Sequence, residues 1–255
     1  MQLDSNTAAV VTGGASGLGQ AVARRLASVG VKVTILDMNA ELGRSVAAEL
    51  GGTFQTVDVG DPDSVLKGLA AARAAHGQER VMVCCAGVAG AAKTVSKGQA
   101  HDPALFEKTL RVNLIGTFNC ASQAAMGMAA VEPLGADGER GVIINTASVA
   151  AFEGQVGQVA YAASKAGVVG LTLPMARDLA PKGIRVVTIA PGLFRTPMME
   201  SMPIEMRESL GAQVPFPARP GDPAEFAQLV EHICRNSMLN GETIRLDGAL
   251  RLQPR

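Results

Sequence analysis

Thr12-Gly13-Gly14-Ala15-Ser16-Gly17-Leu18-Gly19 directly follows a β-branched, apolar run from Thr7 to Val11 and opens a helical pattern. Strand, glycine-rich turn and helix in that order is the context in which such a turn binds a pyrophosphate. Glycines let the chain reverse sharply and let its backbone approach the phosphates, while the helix N-terminus directs free N–H groups and a positive dipole end at the anion. The spacing is TGxxxGxG, with Gly13, Gly17 and Gly19 as its fixed points. A second apolar run ends in Asp37, eighteen residues beyond Gly19. A carboxylate there accepts hydrogen bonds from a ribose diol and repels a 2′-phosphate, and Ser16, ahead of Gly17, offers no cation to attract one. The cofactor predicted from these residues is NAD rather than NADP.

Outward from that turn, apolar runs alternate with helical patterns along the whole chain. Thr7 to Val11, Val31 to Leu36, Thr53 to Val57, Val81 to Ala86, Val142 to Thr146, Val186 to Ile189 and Thr243 to Leu246 read as strands. Helices are predicted over 18–29, 40–50, 62–76, 103–130, 155–179 and 223–236. This alternation implies an α/β fold: a seven-stranded, doubly wound parallel sheet with right-handed crossovers and helices on both faces. A single domain over 1–255 is expected, interrupted only at Pro191 to Pro223, where seven prolines stand among methionines. That stretch reads as a loop with short helical pieces, and its Met198, Met199, Met202 and Phe216 suit a cover over an apolar ligand.

Composition narrows the partners. The chain has 255 residues, of which 47% are hydrophobic, and its 23 Lys and Arg balance 23 Asp and Glu. No basic run appears, so nucleic acid is set aside. The longest nearly apolar stretch, Val81 to Ala92, is too short to span a bilayer, so no membrane segment is predicted. Only six residues precede the first strand, too few for a targeting peptide, and a cytoplasmic location is expected. Cys84, Cys85, Cys120 and Cys234 lack CxxC spacing and read as buried reduced thiols. His76, His101 and His232 are scattered, so no metal site is predicted.

The sole tyrosine, Tyr161, stands four residues before Lys165 in Tyr161-Ala162-Ala163-Ser164-Lys165. On a helix the two share a face. A nearby ammonium stabilises a phenolate, which would let a phenol with an ordinary pKa near 10 exchange protons closer to neutrality. Ser148 follows the strand Val142 to Thr146, where open α/β sheets present their chemistry, and lies thirteen residues before Tyr161. Asn113 interrupts a predicted helix as a mediocre helix former. On spacing alone Ser148 is equally a loop serine and Asn113 a solvated surface residue.

Taken together, TGGASGLG (12–19), Asp37, Asn113, Ser148, YAASK (161–165) and Pro191-Gly192 resemble the short-chain dehydrogenase/reductase family over essentially the whole chain. The resemblance implies a three-layer Rossmann fold and a catalytic tetrad at Asn113, Ser148, Tyr161 and Lys165, with Ser148 and Tyr161 touching the substrate oxygen and Asn113 holding a proton-relaying water. It further implies NAD contacts at Gly13, Ser16, Gly17, Leu18, Gly19, Asp37, Asp58, Val59, Tyr161, Lys165, Pro191, Gly192, Phe194 and Thr196, and at Cys85, Ala86 and Gly87. At these last three the family usually has Asn-Ala-Gly, so the hydrogen bonds of the missing asparagine amide must be replaced.

The stretches INTASVAAFEGQVGQ (144–158), TLPMARDLAPKGIRV (172–186), IAPGLF (189–194) and NGETIRLDGALR (240–251) look like the type-2 3-hydroxyacyl-CoA dehydrogenase branch. That likeness implies NAD-dependent oxidation of a secondary alcohol, a 3-hydroxyacyl-CoA first and a hydroxysteroid second. A 3-oxoacyl-carrier-protein reductase shares the fold, but its usual NADPH preference disagrees with Asp37. A non-catalytic dinucleotide-binding scaffold is the alternative from another class, and the intact tetrad speaks against it. The family also implies a homotetramer through helices 103–130 and 155–179, whose small residues Ala121, Ala124, Ala125, Gly127, Ala129 and Ala130 would allow close approach.

Overall fold

The computed structural model describes residues 1–200 and 204–254. Met202, one of the expected covering residues, lies outside them, as does the side chain of Met198. Nine strands are described: β1 (Ala8–Thr12), β2 (Lys32–Asp37), β3 (Thr53–Thr56), β4 (Val81–Cys84), β5 (Val95–Ser96), β6 (Gln99–Ala100), β7 (Gly141–Thr146), β8 (Ile184–Pro191) and β9 (Thr243–Leu246). Seven pair in parallel in the order β3-β2-β1-β4-β7-β8-β9, while β5 and β6 form a separate exposed hairpin. The chain winds one way through β2 and β3, then returns past β1 to β4. The switch point therefore lies between β1 and β4, where a crevice opens at the carboxyl ends of the strands.

The helices are α1 (Gly17–Ser28), α2 (Ala40–Glu49), α3 (Pro62–His76), α4 (Pro103–Leu110), α5 (Gly116–Ala129), α6 (Val159–Leu179), α7 (Pro197–Glu200), α8 (Ile204–Gly211) and α9 (Pro223–Arg235). Three of them start at an Asp-Pro pair. The carboxylates of Asp61, Asp102 and Asp222 accept N–H groups at 3.0, 2.9 and 2.8 Å, and the proline occupies a first-turn position that needs no donor. One apolar cluster lies under α1 and α9, with Val22, Leu26, Phe226 and Ile233 against Val11 and Ile35. The other lies under α3 and α5, with Leu69, Ala121, Ala124 and Met128 against Met82 and Ile143. Both faces of the sheet are thus covered.

Three expectations need correction. The predicted helix 103–130 is interrupted at Arg111–Ile115 by a π-helical turn that carries Asn113. The predicted strand 186–189 begins two residues earlier, because Arg185 enters the sheet buried and paired with Glu139 at 2.8 Å, its other N–H groups donating to the carbonyls of Ile233, Cys234 and Leu239. Ala121, Ala124 and Ala125 pack inside this chain's own core rather than facing outward. The large residues Ile115, Phe118 and Met126 are what α5 and its preceding turn expose, at 50%, 53% and 58%. Helix α6 with its extension, Val159–Lys182, has the length and mean hydropathy, 1.2, of a membrane span. Here it lies along the sheet, with Ala160, Ser164, Val168, Thr172 and Ala176 buried.

Candidate active site

The glycine-rich turn is built for close backbone approach. A Cβ on Gly13, whose φ is +66°, would stand 2.7 Å from the backbone nitrogen of Ala86, and one on Gly19 would stand 2.3 Å from the carbonyl oxygen of Gly13. Thr12 ties the turn to the end of β4, its Oγ1 accepting the N–H groups of Cys85 and Ala86, both at 3.2 Å. Ser16 caps α1 in extended backbone without using its hydroxyl on the helix. Asp37 faces the same turn, with Oδ2 accepting from the N–H of Ala15 at 3.0 Å and Oδ1 from that of Asn39 at 2.9 Å. Open backbone, a helix N-terminus, an uncommitted hydroxyl and a fixed carboxylate fit the pyrophosphate and ribose of a dinucleotide. A cavity of about 730 Å³ borders this turn at Ala15, Ser16 and Gly17 and reaches Arg195 and Pro197; none of Asn113, Ser148, Tyr161 and Lys165 lines it.

Those four residues come from three elements and meet beside the ends of β4 and β7. Ser148 leaves β7 in extended backbone, and its Oγ accepts the N–H of Ala150 at 3.1 Å. Tyr161 and Lys165 lie one turn apart on α6, with the Lys165 Nζ 5.8 Å from the phenol ring centroid. Asn113 is wholly buried. Its amide grips Val88 at both ends: Oδ1 accepts the Val88 N–H at 2.8 Å and Nδ2 donates to the Val88 carbonyl at 2.9 Å, then to Ser164 Oγ at 3.0 Å. The π turn gives Asn113 this aim, and Thr117 Oγ1 closes the widened backbone by donating to the Asn113 carbonyl at 2.8 Å. Both N–H groups of the amide are thus spent, on Val88 and Ser164, and Oδ1 already holds the Val88 N–H, so Asn113 braces the 87–88 loop and α6.

The electrostatics also differ from expectation. Burial raises the Tyr161 phenol above its usual range, and a hydrogen bond with Ser148 opposes that rise. Lys165 donates from Nζ to the Thr146 carbonyl at 2.8 Å, and burial pulls its ammonium down from 10.5 to about 8. The lysine is thus held to the sheet with its pKa drawn towards neutrality, and Ser148 is the neighbour that favours the phenolate. Cys85 answers the question of the missing asparagine amide: its sulfur accepts from Thr146 Oγ1 at 3.4 Å. Burial pushes that thiol up to about 12, so it stays protonated beside the lysine. Gly87 completes the packing, since a Cβ there would lie 3.2 Å from Asn113 Oδ1 and 3.6 Å from Lys165 Nζ.

A family model described as short chain dehydrogenase matches residues 7–206. The chain belongs to the short-chain dehydrogenase family. It is 55% identical to the 3-hydroxyacyl-CoA dehydrogenase type-2 of Bos taurus over 250 residues, covering 96% of this chain and 95% of that relative. The Drosophila melanogaster protein of the same description is 51% identical over 253 residues, covering 98% and 99%. A crystal structure of 3-hydroxyacyl-CoA dehydrogenase type-2 from Mycobacterium avium superposes with a TM-score of 0.94 at 44% identity, over 100% of both chains. This short-chain dehydrogenase is accordingly an oxidoreductase that uses a nicotinamide dinucleotide and a small-molecule substrate.

Within this dehydrogenase several residues of the site depart from their expected parts. The Phe194 ring turns into the core, edge-on to Phe226 at 6.3 Å, so only its backbone is left for a cofactor. Val59 is buried against the Gly116 backbone turn, again leaving main chain, while Asp58 holds the N–H of Gly60 at 2.9 Å. Thr196 flanks Gly17, its Cβ 3.6 Å from where a Gly17 Cβ would be, while Pro191 ends β8 and Gly192 packs against Asp247. Met199 is buried and Phe216 is 83% exposed, so the covering stretch is not uniformly turned inward. Thr12, Ser164 and the Thr146 carbonyl were missed from sequence. Thr12 stood inside the quoted turn, whereas nothing local marks a carbonyl as the lysine's partner.

Proposed function

We propose that this short-chain dehydrogenase oxidises a (S)-3-hydroxyacyl-CoA to the 3-oxoacyl-CoA with NAD as acceptor, as a step of fatty-acid or branched-chain β-oxidation. The observation that carries the reaction is the meeting of Ser148, Tyr161 and Lys165 beside the dinucleotide turn. The substrate follows from the description shared by the relatives that match at 51% and 55% identity over almost the full chain. Asp37, its carboxylate fixed at the turn, supports NAD over NADP.

The bound nicotinamide supplies the hydride acceptor. Tyr161 Oη takes the proton of the substrate hydroxyl, and Ser148 Oγ hydrogen-bonds the same oxygen as its charge changes. Lys165, whose pKa burial lowers to about 8, gives up a proton to solvent and, once neutral, takes the proton that Tyr161 has gained, and the reduction runs these transfers backwards. Asn113 positions the 87–88 loop and, through Ser164 Oγ, which donates to the Tyr161 carbonyl at 2.7 Å, the first turn of α6. The described residues of 191–200 and 204–223 would cover the acyl group in this reading. The exposed Ile115, Phe118, Met126 and Leu173 support a homotetramer formed across α5 and α6. Neutral charge and the absence of a basic run support a protein that does not take nucleic acid as its ligand, and a cytoplasmic location is proposed with it.

The test follows NADH absorbance with acetoacetyl-CoA, hydroxysteroid and simple secondary alcohol substrates, each with both nucleotides. Turnover of the acyl-CoA with NADH is expected to exceed the other combinations. Tighter binding of NADPH than NADH, or steroid turnover above acyl-CoA turnover, would overturn the assignment.

A further inference from the structure

The last strand ends in a charged knot that the chemistry above does not use. Arg245 presents a two-pronged contact to Glu153, Nη1 to Oε1 at 2.7 Å and Nη2 to Oε2 at 3.0 Å, while its Nε donates to Asp247 Oδ2 at 2.7 Å. Arg245 and Glu153 are only 21% and 22% exposed and Asp247 8%, so this is a sheltered network rather than a loose surface pair. Arg251 adds a second cation, 3.4 Å from Glu153 and 3.2 Å from Asp247. Glu153 sits on the loop that joins Ser148 to α6, and the C-terminal tail runs along that loop. Leu252 N–H donates to Glu153 Oε2 at 3.2 Å, Gln155 Nε2 to the Gln253 carbonyl at 2.9 Å, and Val156 N–H to the Pro254 carbonyl at 3.0 Å. Arg245 also lies over the Phe152 ring at 5.2 Å.

The other side of the knot touches two further parts of the site. Gly192, after β8, donates its N–H to the Leu246 carbonyl at 2.9 Å, and Phe216, at the far end of the covering stretch, donates its N–H to the Gly248 carbonyl at 3.3 Å. Ala249 follows with φ +66°, a conformation costly for alanine, and its N–H is held by Asp247 Oδ1 at 3.0 Å. The tail is thus strained into place where the Ser148–Tyr161 loop, the Pro191-Gly192 turn and the covering stretch converge.

We propose that Glu153 is a positioning residue and the tail, residues 247–254, a strap, which together couple the loop between Ser148 and Tyr161 to the covering stretch at Phe216. A structural brace that held only its own loop would leave Phe216 unaffected. The proposal rests on the reading of Ser148 and Tyr161 as the groups that meet the substrate.

Two variants test it: Glu153→Gln, which keeps the shape and loses the charge, and a chain ending at Arg251, which removes the contacts of Leu252, Gln253 and Pro254 to the loop. Both are expected to lose about tenfold in kcat/KM for 3-hydroxyacyl-CoA oxidation while binding NADH as the parent does. Amide hydrogen exchange is expected to quicken at 213–217 as well as at 152–156. Exchange that quickens at 152–156 alone, with kcat/KM within about twofold of the parent, overturns the proposal. Should Glu153→Gln fail to fold, the shortened chain decides. Should the parent show no turnover, the activity reading fails separately, and exchange at 213–217 alone decides the coupling.

Discussion

Replacing Lys165 with methionine removes the most costly charge in the site, and the consequence can be worked out in advance. The side chain is 5% exposed, and burial takes its pKa from 10.5 to about 8. A fall of about 2.5 units corresponds to roughly 3.4 kcal/mol at 1.36 kcal/mol per unit. Methionine fills a similar length without that cost, but it forfeits the 2.8 Å bond to the Thr146 carbonyl. A charged donor contributes about 1.5–3 kcal/mol there, so the variant should gain between about 0.5 and 2 kcal/mol at neutral pH while losing turnover. For a chain of this size that is a rise in Tm of up to roughly 4–8 °C. The sign with pH is fixed by linkage. Between about 8 and 10.5 the unfolded chain binds more protons than the folded one, so the stability of the parent rises through that window. Below it the burial cost is complete, and above it the cost is gone. The advantage of the variant must therefore be largest below about pH 8 and shrink towards 10.5. Because the chain has no tryptophan and one tyrosine, circular dichroism is the suitable probe, with both proteins at equal concentration. A variant less stable than the parent by about 1 kcal/mol at neutral pH, or a difference flat across the window, would refute the assignment of Lys165 as a desolvated base.

Three other perturbations separate the parts of the site. Tyr161→Phe is expected to lower turnover by about 10² to 10⁴ while NADH binding measured by calorimetry persists; near-native turnover would remove Tyr161 from the chemistry. Asp37→Ala, which lifts the carboxylate from the turn, is expected to narrow the preference for NADH over NADPH by about tenfold or more in titration, and an unchanged ratio would place discrimination elsewhere. Gly19→Ala puts a Cβ 2.3 Å from the Gly13 carbonyl, so it should weaken dinucleotide binding by about tenfold or more and destabilise the fold by about 1–3 kcal/mol, both visible in a melting series with and without NADH.

Most of the architecture was legible because parallel strands covered on two faces are largely apolar, as β4 is and as β1 and β7 are up to Val11 and Ile144. The errors fell where one residue violated that pattern for a tertiary reason. Arg185 hid the start of β8, since its charge is acceptable in a strand only because Glu139 and three carbonyls meet it. The π turn at Asn113 was invisible because a helix that widens by one residue keeps its apolar face, and its partner, Thr117 Oγ1, belongs to a pattern common in ordinary helices. The exposed β5–β6 hairpin has no buried face to leave a period.

Within the site, spacing revealed Tyr161 and Lys165 but not which oxygen the lysine would hold, because a carbonyl has no signature in sequence. That choice decides the electrostatics. By binding Thr146 at the end of β7, Nζ is held to the strand that delivers Ser148 two residues later, while Thr146 Oγ1 reaches back to Cys85 just after β4 and Thr12 Oγ1, at the end of β1, holds the Cys85 N–H. One hydrogen-bonded line therefore runs from the dinucleotide turn through two strand ends to the lysine. The thiol at its middle accepts from Thr146 and stays protonated up to about 12, while burial is the main cause that holds the Lys165 ammonium well below 10.5. A group whose pKa burial lowers to about 8 releases its proton nearer neutrality than a fully solvated ammonium at 10.5 does. Burial therefore moves the two neighbours in opposite directions, raising the phenol and lowering the ammonium, which is what the proposed proton transfer between them requires.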